Sequence, residues 1–192
     1  REQKAISYNS YTGSIENWSQ YLTANYDYQN SESEYKNFLL TAGYRHDYHD
    51  HWGNHVTYKF GGGYYLPKTN TRFHTSYATA FISPTLDDLY SSSSNPNVTP
   101  ETSKSFEFGL KQDLSERSNL NMTFFNDSRK DMIALDGSWI PQNSEKVYSR
   151  GLETELKLGL PKHFNLALSH TWNEHYDQDN RPLIRRAKNK IK

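Results

Sequence analysis

Cysteine is absent from the 192-residue chain. Disulfides, thiolate zinc sites and cysteine nucleophiles are therefore excluded. Net charge is also absent, with 22 basic and 22 acidic side chains. Nucleic-acid binding, which wants a clear basic excess, has no support from that balance. Long apolar runs are lacking too. Stretches such as Phe38-Leu39-Leu40 fall far short of the roughly 20 residues of a membrane-spanning helix. Residues 1–30 hold no continuous apolar segment, so no signal peptide is expected there. The first residue is Arg, and the chain reads as a piece of something longer.

Aliphatic residues are scarce as well: mean hydropathy is −0.97. Yet 15% of residues are aromatic, including 15 Tyr, 9 Phe and 4 Trp. A disordered chain would be poor in aromatics. The mixture suits strands with one wet face and one aromatic-rich face.

Alternation with a period of two supports this reading. Trp18, Leu22, Ala24, Tyr26 and Tyr28 share one side of a run whose other side is Ser19, Tyr21, Thr23, Asn25 and Asp27. The same pattern recurs over Phe38–Tyr48, His55–Leu66, Arg72–Phe81, Ser105–Leu114, Asn119–Phe124, Gly151–Leu160 and Phe164–Asn173. Weaker versions occupy about Gln3–Tyr11 and Leu183–Lys192. No helical period competes over comparable length. Most of these runs exceed the usual 5–6 residues of soluble strands and match the 9–11 that cross a bilayer.

The polar side carries Arg45, Asp47, Lys59, Arg72, Glu107, Lys111, Asp113, Glu153, Glu155 and Lys157. A water-filled or plugged lumen accepts such residues, while lipid accepts the other side. Trp18, Tyr28, Tyr48, Tyr64 and Trp172 are expected to form interfacial girdles. Connections alternate in length: 82–102, 127–146 and 175–182 are long, whereas 115–118 and 161–163 are short. The same rule puts 29–34 and 67–70 on the short-turn side and 49–54 on the long-loop side. An outer-membrane barrel has this asymmetry. A soluble antiparallel sandwich, binding carbohydrate through exposed Tyr and Trp, satisfies the alternation equally.

The connection between Phe81 and Phe106 carries specific motifs. Phe81-Ile82-Ser83-Pro84-Thr85-Leu86, with Leu89-Tyr90, is followed by Asn95-Pro96-Asn97-Val98-Thr99-Pro100-Glu101 and Phe106-Glu107-Phe108-Gly109. Further on come Tyr148-Ser149-Arg150-Gly151-Leu152-Glu153 and Leu183-Ile184-Arg185-Arg186-Ala187-Lys188. These four segments, in this order, resemble those of TonB-dependent outer-membrane receptors. The last is most similar to the form in the family's vitamin B12 (cobalamin) receptors. The resemblance implies an all-β fold: an antiparallel transmembrane β-barrel of the 22-stranded type, represented by about ten strands across residues 1–192. No plug domain and no closing strand are expected within the chain. The resemblance also implies a non-enzymatic receptor of the Gram-negative outer membrane. It would capture a scarce nutrient, cobalamin or else a ferric siderophore, using energy relayed by TonB through the plug.

Several residues are candidates for ligand contact. Tyr90, Asn95 and Asn97 could meet a large polar ligand from outside, although Asn and Pro also shape turns. Asp87 and Asp88 could join a Ca²⁺ site, since hard cations take clustered carboxylates. His46, His49, His51 and His55 invite a metal or haem reading. However, the interval Thr85–Ser94, where the family's haem receptors carry a His, has none. Glu153 and Glu155 are spaced along one face like a catalytic pair, but charges along a lumen wall account for them more simply. The basic tail Arg185, Arg186, Lys188, Lys190 and Lys192 could meet lumen acids or the phosphates of lipopolysaccharide. Gly61-Gly62-Gly63 lies inside a strand and permits bending or close backbone approach rather than phosphate binding.

Overall fold

Alternating residues become strands wherever both faces of the alternation can be satisfied. The computed structural model describes residues 2–6, 12–29, 37–144, 146–184 and 186–192. Ten strands form one antiparallel sheet: β1 (Glu2–Ile6), β2 (Thr12–Gln29), β3 (Asn37–His49), β4 (Gly53–Leu66), β5 (Thr71–Ile82), β6 (Glu101–Ser115), β7 (Ser118–Lys130), β10 (Val147–Gly159), β11 (Asn165–Tyr176) and β12 (Asn189–Ile191). Each strand pairs with its neighbour in sequence, except that a small hairpin, β8 (Ile133–Leu135) and β9 (Pro141–Asn143), stands between β7 and β10. Among the described residues β1 and β12 are each paired on one side only, so the sheet is open. β2 to β7, β10 and β11 have 12 to 18 residues each, enough to cross a bilayer at a tilt.

Paired residues point to the same face of a sheet, so the register defines the two faces. One row reads Thr75, Phe108, Phe124, Leu152 and Trp172 across β5, β6, β7, β10 and β11. The row continues from Thr75 through Gly62, Leu40 and Tyr26 on β4, β3 and β2, and a second reads Leu22, Tyr44 and Tyr58. These rows make one continuous apolar face. Much of it is uncovered: Leu22 is 70% exposed, Phe60 53% and Leu40 51%. A soluble sandwich would bury this face under a second sheet. Among the described residues the second sheet has only the two strands β8 and β9, which leaves hydrocarbon as the natural cover.

Aromatic pairs mark both edges of the band. Trp18 stacks on Tyr48 at 5.9 Å, and Tyr28 stacks on Phe38 at 5.2 Å, with Tyr64 next in that register. Trp18 and Tyr28 are ten residues apart on β2. That is roughly 33 Å along the strand, or about 25 Å of height at a tilt of about 40°. The two belts are thus one apolar band apart. Trp172 is the exception: it sits inside the apolar row rather than at a belt.

The structure revises the sequence reading at several ends. β7 runs on to Lys130 and β11 to Tyr176, beyond the last apolar alternation, because backbone pairing needs no apolar side chain. The connection at Asp50–Trp52 is on the long-loop side but is itself short. Among the described residues the C-terminal segment is a strand over Asn189–Ile191, with one isolated bridge between Tyr176 and Pro182. The N-terminal segment is a strand over Glu2–Ile6, while residues 7–11, most of the expected turn at 29–34, and Arg185 lie outside the described residues. An unexpected five-residue helix, α1 (Leu86–Tyr90), forms inside the longest connection.

Two glycines on the polar face permit close approach. The ring of His74 lies where a Cβ on Gly109 would be. On Gly151 a Cβ would collide with the Trp172 carbonyl oxygen and meet the Phe125 ring at 2.6 Å. In both cases a ring from the next strand lies over bare backbone and thickens the wall without adding height.

Candidate functional site

Three long connections, the turn at Asp50–Trp52 and the outer part of β2 gather at one end of the sheet. This rim holds nearly all the buried apolar side chains among the described residues. Ile15 of β2 packs with Leu86 and Leu89 of α1, with Trp52 and Tyr90 against them, and Val98 is also buried. Ile15 shares the polar face with Asn17 and Ser19, so α1 reaches back past three strand ends to dock on that side of the β2 overhang.

Local sequence explains the helix. Pro84 precedes it, buried. Thr85 caps it: its Oγ1 accepts from the Asp88 amide at 3.2 Å, and Asp88 Oδ2 accepts from the Thr85 amide at 2.8 Å. This reciprocal box satisfies amides that the first turn leaves without partners. The Asp88 carboxylate expected at a Ca²⁺ site is thereby engaged in capping, while Asp87 is exposed one residue away. Among the described residues no group of three or more His, Cys, Asp or Glu is arranged to hold a metal.

The histidines also go separate ways. His46 lies on the apolar face, edge-on to Trp18, with Nε2 2.9 Å from Asn54 Oδ1. His49 is buried; its Nδ1 accepts from the His51 amide at 3.2 Å and lies 3.1 Å from Asp50 Oδ1. His51 Nε2 pairs with the Tyr90 hydroxyl at 2.8 Å. His55 stacks on Phe81 at 4.3 Å and contacts the Trp52 carbonyl through Nε2 at 3.1 Å. The four imidazoles brace the rim instead of converging on one point. Burial holds His49 below its ordinary pKa, with Asp50 partly opposing that shift. The residue sits just beyond the Trp18–Tyr48 belt, outside the apolar band.

The second long connection locks onto the first. Asn95 Nδ2 donates to the Pro141 carbonyl at 3.0 Å and to Gln142 Oε1 at 3.1 Å, while its Oδ1 accepts from the Asn97 amide at 3.0 Å. Asn143 Oδ1 accepts from the Thr99 amide at 2.7 Å, and its Nδ2 donates to the carbonyls of Thr99 and Asp131 at 2.8 and 2.7 Å. Glu101 Oε1 accepts from the Ile133 amide at 2.8 Å. Of the three expected contact residues, Tyr90 and Asn95 are therefore engaged within the rim, and Asn97 is exposed.

The hairpin β8–β9 was not foreseen, and neither was Asn143 as the residue that ties it down. The Asp136-Gly137-Ser138 run is a turn signal that would have found it. Asp136 Oδ1 accepts from the amides of Ser138 and Ile140 at 2.8 and 3.0 Å. This turn holds Trp139 at φ 62°, with 71% of its surface exposed. A bulky side chain rarely adopts that backbone region.

Below the rim the polar face carries paired charges. Arg45 grips Asp47 through Nε at 2.8 Å and through a terminal nitrogen at 2.7 Å. Arg72 pairs with Asp113 and lies 4.8 Å over the Tyr65 ring. A cavity of about 620 Å³ lies on this face toward the short turns, between Asp27, Leu39, Gly63, His74 and Lys111. Glu153 pairs in register with Thr123 and Thr171. Glu155 forms a 3.1 Å ion pair with Lys157, so these two carboxylates do not form an isolated acid–base pair.

A long-stranded sheet with one lipid-compatible face, a charged inner face and interlocked loops at one end narrows the comparison to membrane barrels. The family model "TonB dependent receptor-like, beta-barrel" matches residues 2–191. The chain belongs to that family. It is 32% identical over 183 residues to the vitamin B12 transporter BtuB of Vibrio vulnificus, covering 90% of this chain and 28% of the relative. In structure it is similar to the siderophore receptor PirA of Pseudomonas aeruginosa, with a TM-score of 0.72 and 20% identity over 86% of this chain and 33% of PirA. The ferric enterobactin receptor PfeA of the same organism gives 0.69 and 20%, over 88% of this chain and 28% of PfeA. The chain thus spans about a third or less of each. The TonB-dependent receptor fold sets the orientation: the apolar face meets the lipid of the Gram-negative outer membrane, the charged face lines the lumen, and the long connections lie outside the cell. The chain represents part of the barrel wall.

Proposed function

We propose that this segment is the wall and outer rim of a receptor that captures cobalamin and passes it inward with TonB-derived energy. The observation that carries the cargo assignment is the 32% identity to a vitamin B12 transporter across 90% of the chain. The rim supports capture of a large polar ligand. Its two loops are fixed to each other by Asn95 and Asn143 before any ligand arrives, and a preorganised surface loses less entropy on binding. Exposed Asn97 would offer polar contact, and Trp139 an aromatic plate. Tyr90 and Asn95 would act by holding the loops in position. In the complete receptor, TonB would engage through the plug, and the lumen charges would line the route of passage.

The test is binding of cyanocobalamin and of ferric siderophores to the complete receptor, with uptake measured in cells with and without TonB. Saturable cobalamin binding and TonB-dependent uptake are expected. Binding of a ferric siderophore with indifference to cobalamin would overturn the cargo while leaving the family unchanged.

A further inference from the structure

The lipid-facing wall carries a basic groove just beneath the outer rim. β4 and β5 pair only from Lys59 and Ala78 downward; above that level they part. The Thr79 hydroxyl substitutes for one lost ladder contact by accepting from the Tyr58 amide at 3.0 Å. The separation contributes to a cavity of about 400 Å³ whose walls include Val56, Tyr58, Phe81, Lys104, Lys130 and Lys146.

Register places this groove on the lipid side. Phe81 pairs with Thr102, which pairs with Lys130, while Lys104 pairs with Ser128. All belong to the face that carries Phe106, Phe108 and Phe124. Lys146 precedes Val147, the partner of Arg129, so one further step of the ladder puts it beside Lys130. Its ammonium lies 4.3 Å above the ring of Tyr148. Three lysines therefore occupy neighbouring positions on adjacent strands. Like charges so placed repel one another, and among the described residues none of the three forms an ion pair with a carboxylate.

We propose that this groove binds a phosphate of lipopolysaccharide in the outer leaflet, with the acyl chains running down the adjoining aromatic wall. Charge complementarity supplies the first argument: an anion relieves the repulsion among the lysines. Continuity supplies the second. Below Lys104 on the same strand lie Phe106 and Phe108; beside Phe106 in register is Tyr77, and beyond it Tyr58, whose ring centroid is 6.0 Å from that of Tyr77 and 5.8 Å from that of Phe60. A soluble phosphate has no use for that floor, whereas an acylated one does. Position supplies the third, because the groove lies at the outer edge of the band, where lipid phosphates sit. The inference rests on the orientation of the wall and does not depend on the cargo.

The experiment uses the complete receptor, purified in detergent, and native mass spectrometry with titration of bis-phosphorylated lipid A, dephosphorylated lipid A and inorganic phosphate. Each lysine beside an anionic lipid surface contributes about fivefold, so the wild type should prefer phosphorylated over dephosphorylated lipid A by about a hundredfold. The triple variant Lys104→Gln, Lys130→Gln, Lys146→Gln should lose that preference while keeping its heat-modifiable mobility and its cargo binding. If the triple variant does not fold, Lys130→Gln alone should reduce the preference about fivefold. Equal wild-type affinity for the two lipids would overturn the proposal, as would an unchanged preference in the variants. Displacement of lipid A by inorganic phosphate at equal concentration would also do so, leaving a phosphate site with no lipid role.

Discussion

Gly109 and Gly151 both sit beneath an aromatic ring, yet they should respond differently to a methyl group. At Gly109 the obstruction is the His74 ring, which can swing into the lumen. At Gly151 it includes the Trp172 carbonyl oxygen, which belongs to the ladder. Gly151→Ala should therefore destabilise the wall by about 1–3 kcal/mol, as overpacking does, and Gly109→Ala by less. The loss of heat-modifiable mobility with temperature, compared between the two variants of the complete receptor, measures the difference. His49 gives a second prediction at this scale. Its pKa is lowered in the fold from an ordinary value near 6.5. The unfolded or opened rim therefore binds the proton more readily. Rim stability contributed by neutral His49 is fully present above about pH 6.5 and declines as pH falls from there toward the folded pKa. Hydrogen exchange at the His51 amide, which donates to His49 Nδ1, should accelerate between pH 7.5 and pH 5.5 beyond the intrinsic pH trend. His49→Gln should remove the excess.

At the scale of elements, the strands were legible and the rim was not. Period-two alternation is written by lipid on one side and water on the other, so Leu22, Tyr44, Phe60 and Phe108 mark the faces in the sequence itself. The ends were less visible. β7 continues through Ser128-Arg129-Lys130, where both faces are polar because the strand has left the band. α1 escaped notice because five residues are too few to show a 3.6-residue period; only Thr85 and Asp88 at capping spacing pointed to it. The sequence also singled out Asn95, but as a ligand contact, whereas its amide is engaged with Pro141 and Gln142. Such a contact joins segments about 46 residues apart and leaves no local trace. Asn143→Ala removes the bonds to Thr99 and Asp131 together. It should raise proteolytic cleavage within 131–146 and 91–100, with a local cost of about 1–3 kcal/mol for the four exposed bonds its side chain makes. Thr85→Ala should free the first turn of α1 at about 1 kcal/mol, seen as faster exchange at the Asp88 amide.

The whole molecule is an up-and-down sheet that requires a membrane on one side. Its midline row, Phe108 with Phe124 and Leu152, has no protein cover among the described residues. Phe124→Arg in the complete receptor should cost about 2–4 kcal/mol, the penalty for arginine at mid-bilayer. Asn121→Arg, three residues away on the lumen face, should cost much less. Folding titrations in lipid vesicles, compared between the two, test the assignment of faces; equal penalties would reverse it.

The docking of α1 on Ile15 has a further consequence for the order of assembly. Every strand of the large sheet, apart from the excursion through β8 and β9, pairs with its sequence neighbour, so the wall can zip up one hairpin at a time with little loop entropy to overcome. The contact between Ile15 and Leu86 or Leu89 cannot form that way, because it spans some seventy residues and needs β3, β4 and β5 in place. It is a late event that reports a correctly registered wall. Pulse labelling of the complete receptor during folding should show the α1 amides gaining protection after those of β3 to β5, and protection of α1 first would contradict this order.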